Sequence, residues 1–369
     1  MTSADIPTPP LTLDELATRL DEPATAAPSD EAVAAASAES VTIAATELDL
    51  TTLVEPVDGG LRLRLPPGIH TGLPGRTAYQ VTDADDVGTA GGPRSTDGYR
   101  PATSALVYQP KTTMEFAPRQ RIRRVDGSEV QPFYGVFPPE DRQTYYPSTY
   151  PWGCVGKIFT KTDFASPSWS WRGSGVLVGP RHVLTAGHVC PWDTATQWGM
   201  LFVPSYWDGA PLAGAAMTSW VSDFRGWNPG VAARDMCVLR LYEPLGNTLG
   251  WMGSKVYSPA WQGGAYWTLT GYPGAIASGE RPAYQNSIAV IDDDPDGDAA
   301  EVEHLGDASP GESGGPLFGW WDNIPYTIGT LSGGNIITAP NGTVLEDNNI
   351  NAGGAAMVNL IDWARTNWP

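Results

Sequence analysis

From residue 150 onward the chain is written in short apolar or alternating runs: Cys154–Phe159, Gly175–Val178, Gly199–Val203, Met236–Leu241, Tyr266–Thr270, Ser287–Ile291 and Thr327–Leu331. Most are bounded by Gly, Pro, Asp or Asn. Runs this short between such breakers suit strands and are too brief for helices. Only the last segment, Met357–Asn367 (MVNLIDWARTN), predicts a helix, with Val358, Leu360, Ile361 and Trp363 available for its apolar face. Regular strands and one terminal helix argue an all-β sandwich or a pair of barrels. The first 130 residues lack this texture. A short helix is possible at Leu11–Leu20, but PATAAPSDEAVAAASAES after it has too few large apolar groups to offset its ordering entropy. Residues 61–130 show no period and carry RQRIRR at 119–124, so a linker or removable pro-segment is the expectation there.

Composition sharpens this in three ways. The 42 Gly and 34 Pro among 369 residues favour many turns over long helices, and 15 Trp with 14 Tyr lean the same way. The net charge of −19 is uneven, because residues 1–60 hold 12 acidic side chains and one basic, Arg19. No basic footprint for nucleic acid exists, and an acidic surface is repelled by anionic membranes. Cys154, Cys190 and Cys237 are widely spaced and fit no metal pattern. No apolar run of 18 residues occurs, and no signal peptide is visible at the start. A trimmed start, another export route and an intracellular protein all remain open; the location carried forward is secretion.

Three blocks carry chemistry. Histidine is rare, at His70, His182, His188 and His304. One of the four sits in GSGVLVGPRHVLTAGHV, where small residues before His188 let a turn pack closely and hold the imidazole out. Downstream, RDMCVLRL places Asp235 at the mouth of an apolar strand. Further on, GDASPGESGGPL puts Ser313 in a glycine-flanked turn. A serine hydroxyl is a poor nucleophile until a base accepts its proton, and a neutral imidazole suits that task. A carboxylate then fixes the tautomer and stabilises the imidazolium that forms. Gly311 and Gly314 let the backbone bend so that the N–H groups of Gly311 and Ser313 converge on an oxyanion.

TAGH, D-x-x-V-L-R-L and GESGGPL, in the order His, Asp, Ser, resemble the chymotrypsin/trypsin-like serine peptidases. Within them the chain is similar to the bacterial glutamyl-endopeptidase-like and streptogrisin-like branch. Glu140-Asp141-Arg142, Tyr150-Pro151-Trp152 and Gly271-Tyr272-Pro273-Gly274 look like the former, and Ser332-Gly333-Gly334 like the latter. The resemblance covers residues 136–369. It implies two six-stranded antiparallel β-barrels, the first over 136–250 and the second, with the C-terminal helix, over 251–369, after an acidic tail and pro-segment over 1–130. It implies a serine endopeptidase with His188, Asp235 and Ser313 as triad, Gly311 and Ser313 as oxyanion hole, and Asp307, Ser332, Gly333 and Gly334 as substrate-binding groups. The expected partner is a polypeptide substrate, with no cofactor, metal, nucleic acid or membrane, and the protein is expected to be a monomer. Leu331 stands where Glu-selective members tend to have His, which argues against a Glu preference. No Ile-Val-Gly-Gly-like start precedes the domain, and Glu312 replaces the Asp or Asn usual before the nucleophile, with reach enough to pair with an ammonium or an Arg. Cleavage between Arg124 and Val136 is expected to release residues 1 to about 130 and activate the enzyme.

Competing signals are weaker. Asp223 is a rival triad carboxylate, but no apolar strand follows it. DDDPDG at 292–297 with Glu303 matches an EF-hand loop formally, yet its flanks alternate like strands, so an acidic hairpin is the expectation. An α/β-hydrolase orders its triad Ser, Asp, His, and no histidine follows Ser313. A non-catalytic homologue acting as a binding module remains the alternative, although it would usually have lost a triad member.

Overall fold

In the computed structural model, residues 7–29, 54–57, 60–63, 72–82, 92–113, 135–137, 139–214, 216–228, 232–338 and 344–369 are described. The apolar runs after residue 150 become strands because each has a core to face. β1 (Val155–Lys161) is buried along its whole length, which is why its run reads as continuous rather than alternating. Even Lys157 is buried within it, its ammonium donating to Gly279 O (2.6 Å) and Glu280 Oε1 (2.8 Å). β2 (Trp171–Gly179), β3 (His182–Thr185), β4 (Gly199–Pro204), β5 (Ser219–Gly226) and β6 (Cys237–Leu241) complete the first sheet. Its order is β4-β1-β2-β3-β6-β5, and β4 also pairs with β5, so six antiparallel strands close into a barrel.

The second sheet holds β7 (Trp267–Gly271), β8 (Ala283–Ile288), β9 (Val290–Asp296), β10 (Ala299–His304), β11 (Pro316–Trp321), β12 (Ile324–Thr338) and β13 (Val344–Gly353). Hydrogen bonds run β9-β10-β13-β12-β11-β7-β8. The two ends of that path, β8 and β9, are consecutive in the chain and separated by Ala289 alone. A helix over Gly354–Asn367 follows, burying Met357, Val358, Leu360 and Ile361. The expected helix therefore starts three residues earlier than its apolar pattern. Among the described residues no helix is long and apolar enough to cross a membrane.

The N-terminal region departs from a tail. The expected short helix is present over Leu13–Thr18, closed by a Thr12–Glu15 capping box. Leu16, Val81, Leu106 and Tyr108 all sit in the core. Residues Thr77–Gln80 add a parallel strand to β5, pairing with Asp223–Gly226 where that strand has left β4. Thr112–Thr113 pairs with Gln143–Tyr145, itself paired to β8. The sequence hid this because most of the docking is through backbone groups, with only single apolar anchors. Residues 30–53, 83–91 and 114–134, including most of the low-complexity stretch and RQRIRR, lie outside the described residues.

Candidate active site

β3 ends at Thr185, and a 3-10 turn over Gly187–Val189 carries His188. Gly187 is needed there: a Cβ on it would fall 2.5 Å from Trp227 O and 3.0 Å from Asp235 Oδ1. The close approach lets His188 make two bonds to one carboxylate. Its backbone N–H donates to Asp235 Oδ1 (2.8 Å), and Nδ1 lies 2.7 Å from Asp235 Oδ2. A carboxylate at Nδ1 selects the tautomer protonated there and leaves Nε2 as an acceptor. Asp235 follows a 3-10 turn over Ala232–Arg234 and precedes β6, so it is anchored on both sides. Ser332 Oγ donates to the same Oδ2 (2.6 Å). Ser332 is the extra residue at a bulge in β12, between Leu331 and Gly333, and the bulge turns its side chain toward Asp235.

The loop that bears Ser313 packs against β2 and the strand that leads into His188. Gly311 (φ 100°) and Gly314 (φ 86°) adopt left-handed backbone that other residues resist. A Cβ on Gly314 would fall 2.2 Å from both Ser174 O and Thr185 Oγ1 and 2.9 Å from Ala186 N, so the loop touches the strand leading into His188. On β2, a Cβ on Gly173 would fall 2.8 Å from the Val189 side chain and 3.2 Å from Ser313 O. Ser174 N–H donates to Ser313 O (2.7 Å), and Ser174 Oγ donates to Gly311 O while accepting from Tyr272 N–H, each at 2.8 Å. Pro310 O accepts from Gly274 N–H (2.7 Å). A planar trans peptide points its C=O and N–H in opposite directions, so the Gly311 N–H faces away from Gly274.

Behind Ser313 the loop is tied by charge. Glu312 and Arg142 are both buried. Arg142 Nη1 donates to Glu312 Oε2 (2.7 Å) and Ser309 Oγ (3.0 Å), and Glu312 Oε2 also accepts from Ser309 N–H (3.0 Å). Glu140 grips the other edge of the guanidinium, from Nε at 2.8 Å and Nη2 at 2.7 Å. Burial pushes the Glu312 carboxyl up to about 7 against the pull of Arg142. The reach expected of Glu312 thus ends on an Arg.

Asp307 requires a correction. It is buried, and its two carboxylate oxygens accept from Phe137 N–H (2.6 Å) and Asp141 N–H (3.0 Å). Burial raises its pKa against the pull of those two N–H groups and of Arg142. It therefore anchors residues 137–141 rather than offering a carboxylate to substrate, because the chain before β1 folds back over that position. Gly333 and Gly334 lie on β12 opposite Ile350 and Asn349 of β13.

The remaining candidates separate from the site. His182 Nε2 bonds to Trp368 O (2.9 Å) and His304 Nε2 to Asn351 Oδ1 (2.7 Å); burial lowers both imidazoles to about 4. His70 lies outside the described residues. Asp223 faces Arg240 (3.7 Å). The acidic stretch is a β9–β10 hairpin, and its tip holds Arg234 through Asp296 and Asp298. Among the described residues no group of three His, Cys, Asp or Glu is arranged to hold a metal ion. All three cysteines are free and buried. The supporting roles of Ser174 and Arg142 had no chemical signal in sequence; Arg142 entered only within a motif that looks like the glutamyl endopeptidases.

A family model for the trypsin-like peptidase domain matches residues 173–319, a span that contains His188, Asp235 and Ser313. That stretch is similar to a trypsin-like peptidase domain. A glutamyl endopeptidase of Bacillus licheniformis is 30% identical over 149 residues, 39% of this chain and 44% of its own length. The match thus spans less than half of that relative. Among solved structures, a Glu endopeptidase in complex with MPD aligns at 20% identity with a TM-score of 0.49, over 63% of this chain and all of its own. The protease Anisep from Arthrobacter nicotinovorans aligns at 19% identity with a TM-score of 0.44, over 61% and 99%. Part of the chain is thus similar to trypsin-like peptidases and to a glutamyl endopeptidase, in line with the resemblance of its motifs.

Proposed function

We propose that this chain is a serine endopeptidase acting through His188, Asp235 and Ser313. The observation that carries the reading is the double grip of His188 on Asp235, through ring and backbone, beside the loop that bears Ser313. In this mechanism Ser313 Oγ attacks the peptide carbonyl while His188 Nε2 accepts its proton. The Gly311 and Ser313 N–H groups stabilise the tetrahedral oxyanion, where loss of one donor typically costs about 100- to 1,000-fold. His188 then protonates the leaving amine, and water enters by the same route to hydrolyse the acyl-enzyme. The β12 edge at Gly333 and Gly334 offers extended backbone to a bound peptide.

The same reading extends to the whole chain. The ring of strands joined through β8 and β9 is its second barrel, so that two barrels, over 136–250 and 251–369, flank the cleft. The substrate is a polypeptide, the protein is a secreted monomer, and no cofactor takes part. A cut between Arg124 and Val136 separates residues 1–130 from the peptidase and activates it. Since Arg142 already pairs with Glu312, a new ammonium terminus is not what activation supplies. Ser313→Ala is expected to fold normally and lose all turnover of a peptide substrate; retained hydrolysis in that variant rejects the assignment.

A further inference from the structure

Residues 7–113 dock on the peptidase at three separate places. Around Pro7–Leu16, Leu11 N–H donates to Trp320 O (2.7 Å) and Trp321 Nε1 to Thr8 O (2.9 Å), both on β11, and Trp261 Nε1, on the turn before β7, donates to Pro7 O (3.1 Å). Around 72–82, Arg76 N–H donates to Ser222 O (2.6 Å) and Val81 N–H to Gly226 O (2.7 Å), flanking the parallel strand on the first barrel. Between them, residues 94–108 lie along the connection that joins the two sheets. Tyr99 and Trp251 exchange two backbone bonds of 2.9 Å, Ser95–Thr96 pairs with Ser254–Lys255, and Trp152 Nε1 donates to Val107 O (2.8 Å). The first and the middle segments are themselves knitted together: Glu22 and Leu106 exchange two backbone bonds, and Arg100 pairs with Glu22 at 2.7 Å.

From this geometry we infer that residues 7–113 remain bound as a second chain after the activating cut, clasping the first barrel to the second sheet. The inference rests on the pro-segment reading only for where the chain is cut. Both ends of that region are held. On one side Thr112–Thr113 pairs with Thr144–Tyr145. On the other, Gly135 N–H donates to Asn349 Oδ1 (2.8 Å), while Gly135 O accepts from Asn349 Nδ2 (2.8 Å) and Ala308 N–H (2.9 Å). Neither anchor needs the covalent link between them. Departure of the N-terminal piece would strip Leu16, Val81, Leu106 and Tyr108 from the core and leave the Asp223–Gly226 edge unpaired. Buried backbone groups without partners are costly, so dissociation is opposed at every docking point at once.

The test uses the full chain carrying Ser313→Ala, with a recognition sequence for a narrow-specificity viral protease inserted between Arg124 and Val125. After the cut, both pieces are expected to co-elute on size exclusion at the position of the uncut protein and to separate only in denaturant. An N-terminal piece eluting in its own peak under native conditions overturns the inference. Hydrogen exchange supplies a second readout: the amides of Arg76, Val81 and Leu106 should stay as slow after the cut as before it, and exchange at the rate of the free piece contradicts retention. Because this background has no turnover to lose, the outcome is independent of whether the intact chain proves to be a peptidase.

Discussion

The loop from Gly306 to Gly315 has two faces, and they are built on opposite principles. Toward the cleft, Ser313 lies beside the turn that carries His188, an imidazole held by one carboxylate and only partly buried. Away from the cleft, Asp307, Ser309 and Glu312 are bonded to residues 137–142 in a buried interior, where Glu312 Oε2 pairs with Arg142. The reactive face has to let a proton move, whereas the anchoring face has to hold still, and its buried bonds to residues 137–142 fix the loop from behind.

Substitutions that strike one face alone separate the two roles. Asp235→Asn on the reactive face should lower kcat by about 10⁴-fold, since it favours the wrong imidazole tautomer, and, because both its buried oxygens accept hydrogen bonds, should cost about 1–3 kcal/mol in stability. Steady-state kinetics and melting curves check both halves. On the anchoring face, Arg142→Leu leaves the buried Glu312 carboxyl to take up a proton at neutral pH and removes the guanidinium's bonds to Ser309 and Glu140, and should cost about 3–5 kcal/mol in denaturant unfolding. Activity should fall with it, and Arg142→Leu combined with Glu312→Gln should be more stable than Arg142→Leu alone.

The base of the loop also titrates. His304 Nδ1 accepts from Gly306 N–H (3.0 Å), which a protonated ring cannot do. Its folded pKa of about 4 lies below the ordinary 6.5, so its contribution is present above pH 6.5 and is lost as pH falls toward 4. The slope approaches about 1.4 kcal/mol per pH unit inside that window. A His304→Gln variant should lose that slope when unfolding is followed from pH 7 to 4. The smallest effect concerns Asp307. Asp307→Asn replaces one of two acceptor oxygens by a donor and should cost about 1–3 kcal/mol. Its effect on kcat/KM should be similar for peptides with Arg and with Ala before the scissile bond. A loss confined to Arg peptides would return Asp307 to a substrate-binding role.

What could be seen in sequence follows the same division. The turns that carry His188, Asp235 and Ser313 were legible because they demand Gly and small residues at fixed places, and because short apolar runs flank them. Two strands of the same body were not. β5 (SWVSDFRG) and β13 (VLEDNNINAG) look polar, yet Ser222 donates to Arg240 O (3.2 Å) and Asn349 Nδ2 to Gly306 O (2.7 Å). Buried polar groups satisfied by distant partners erase the alternation that marks a strand. Asp307 was misassigned for a related reason: its partners are backbone N–H groups from residues far upstream, which no local pattern announces. The clasp of residues 7–113 was hidden because β-pairing depends on backbone geometry, and four apolar anchors spread over a hundred residues leave no period.

Intact-mass measurement after exposure to a fluorophosphonate tests the catalytic account most directly. The account predicts a single adduct, mapped to the peptide containing Ser313, absent in Ser313→Ala and strongly slowed in His188→Ala. A folded, trimmed protein that never takes up the reagent, or takes it up at another residue, would contradict it.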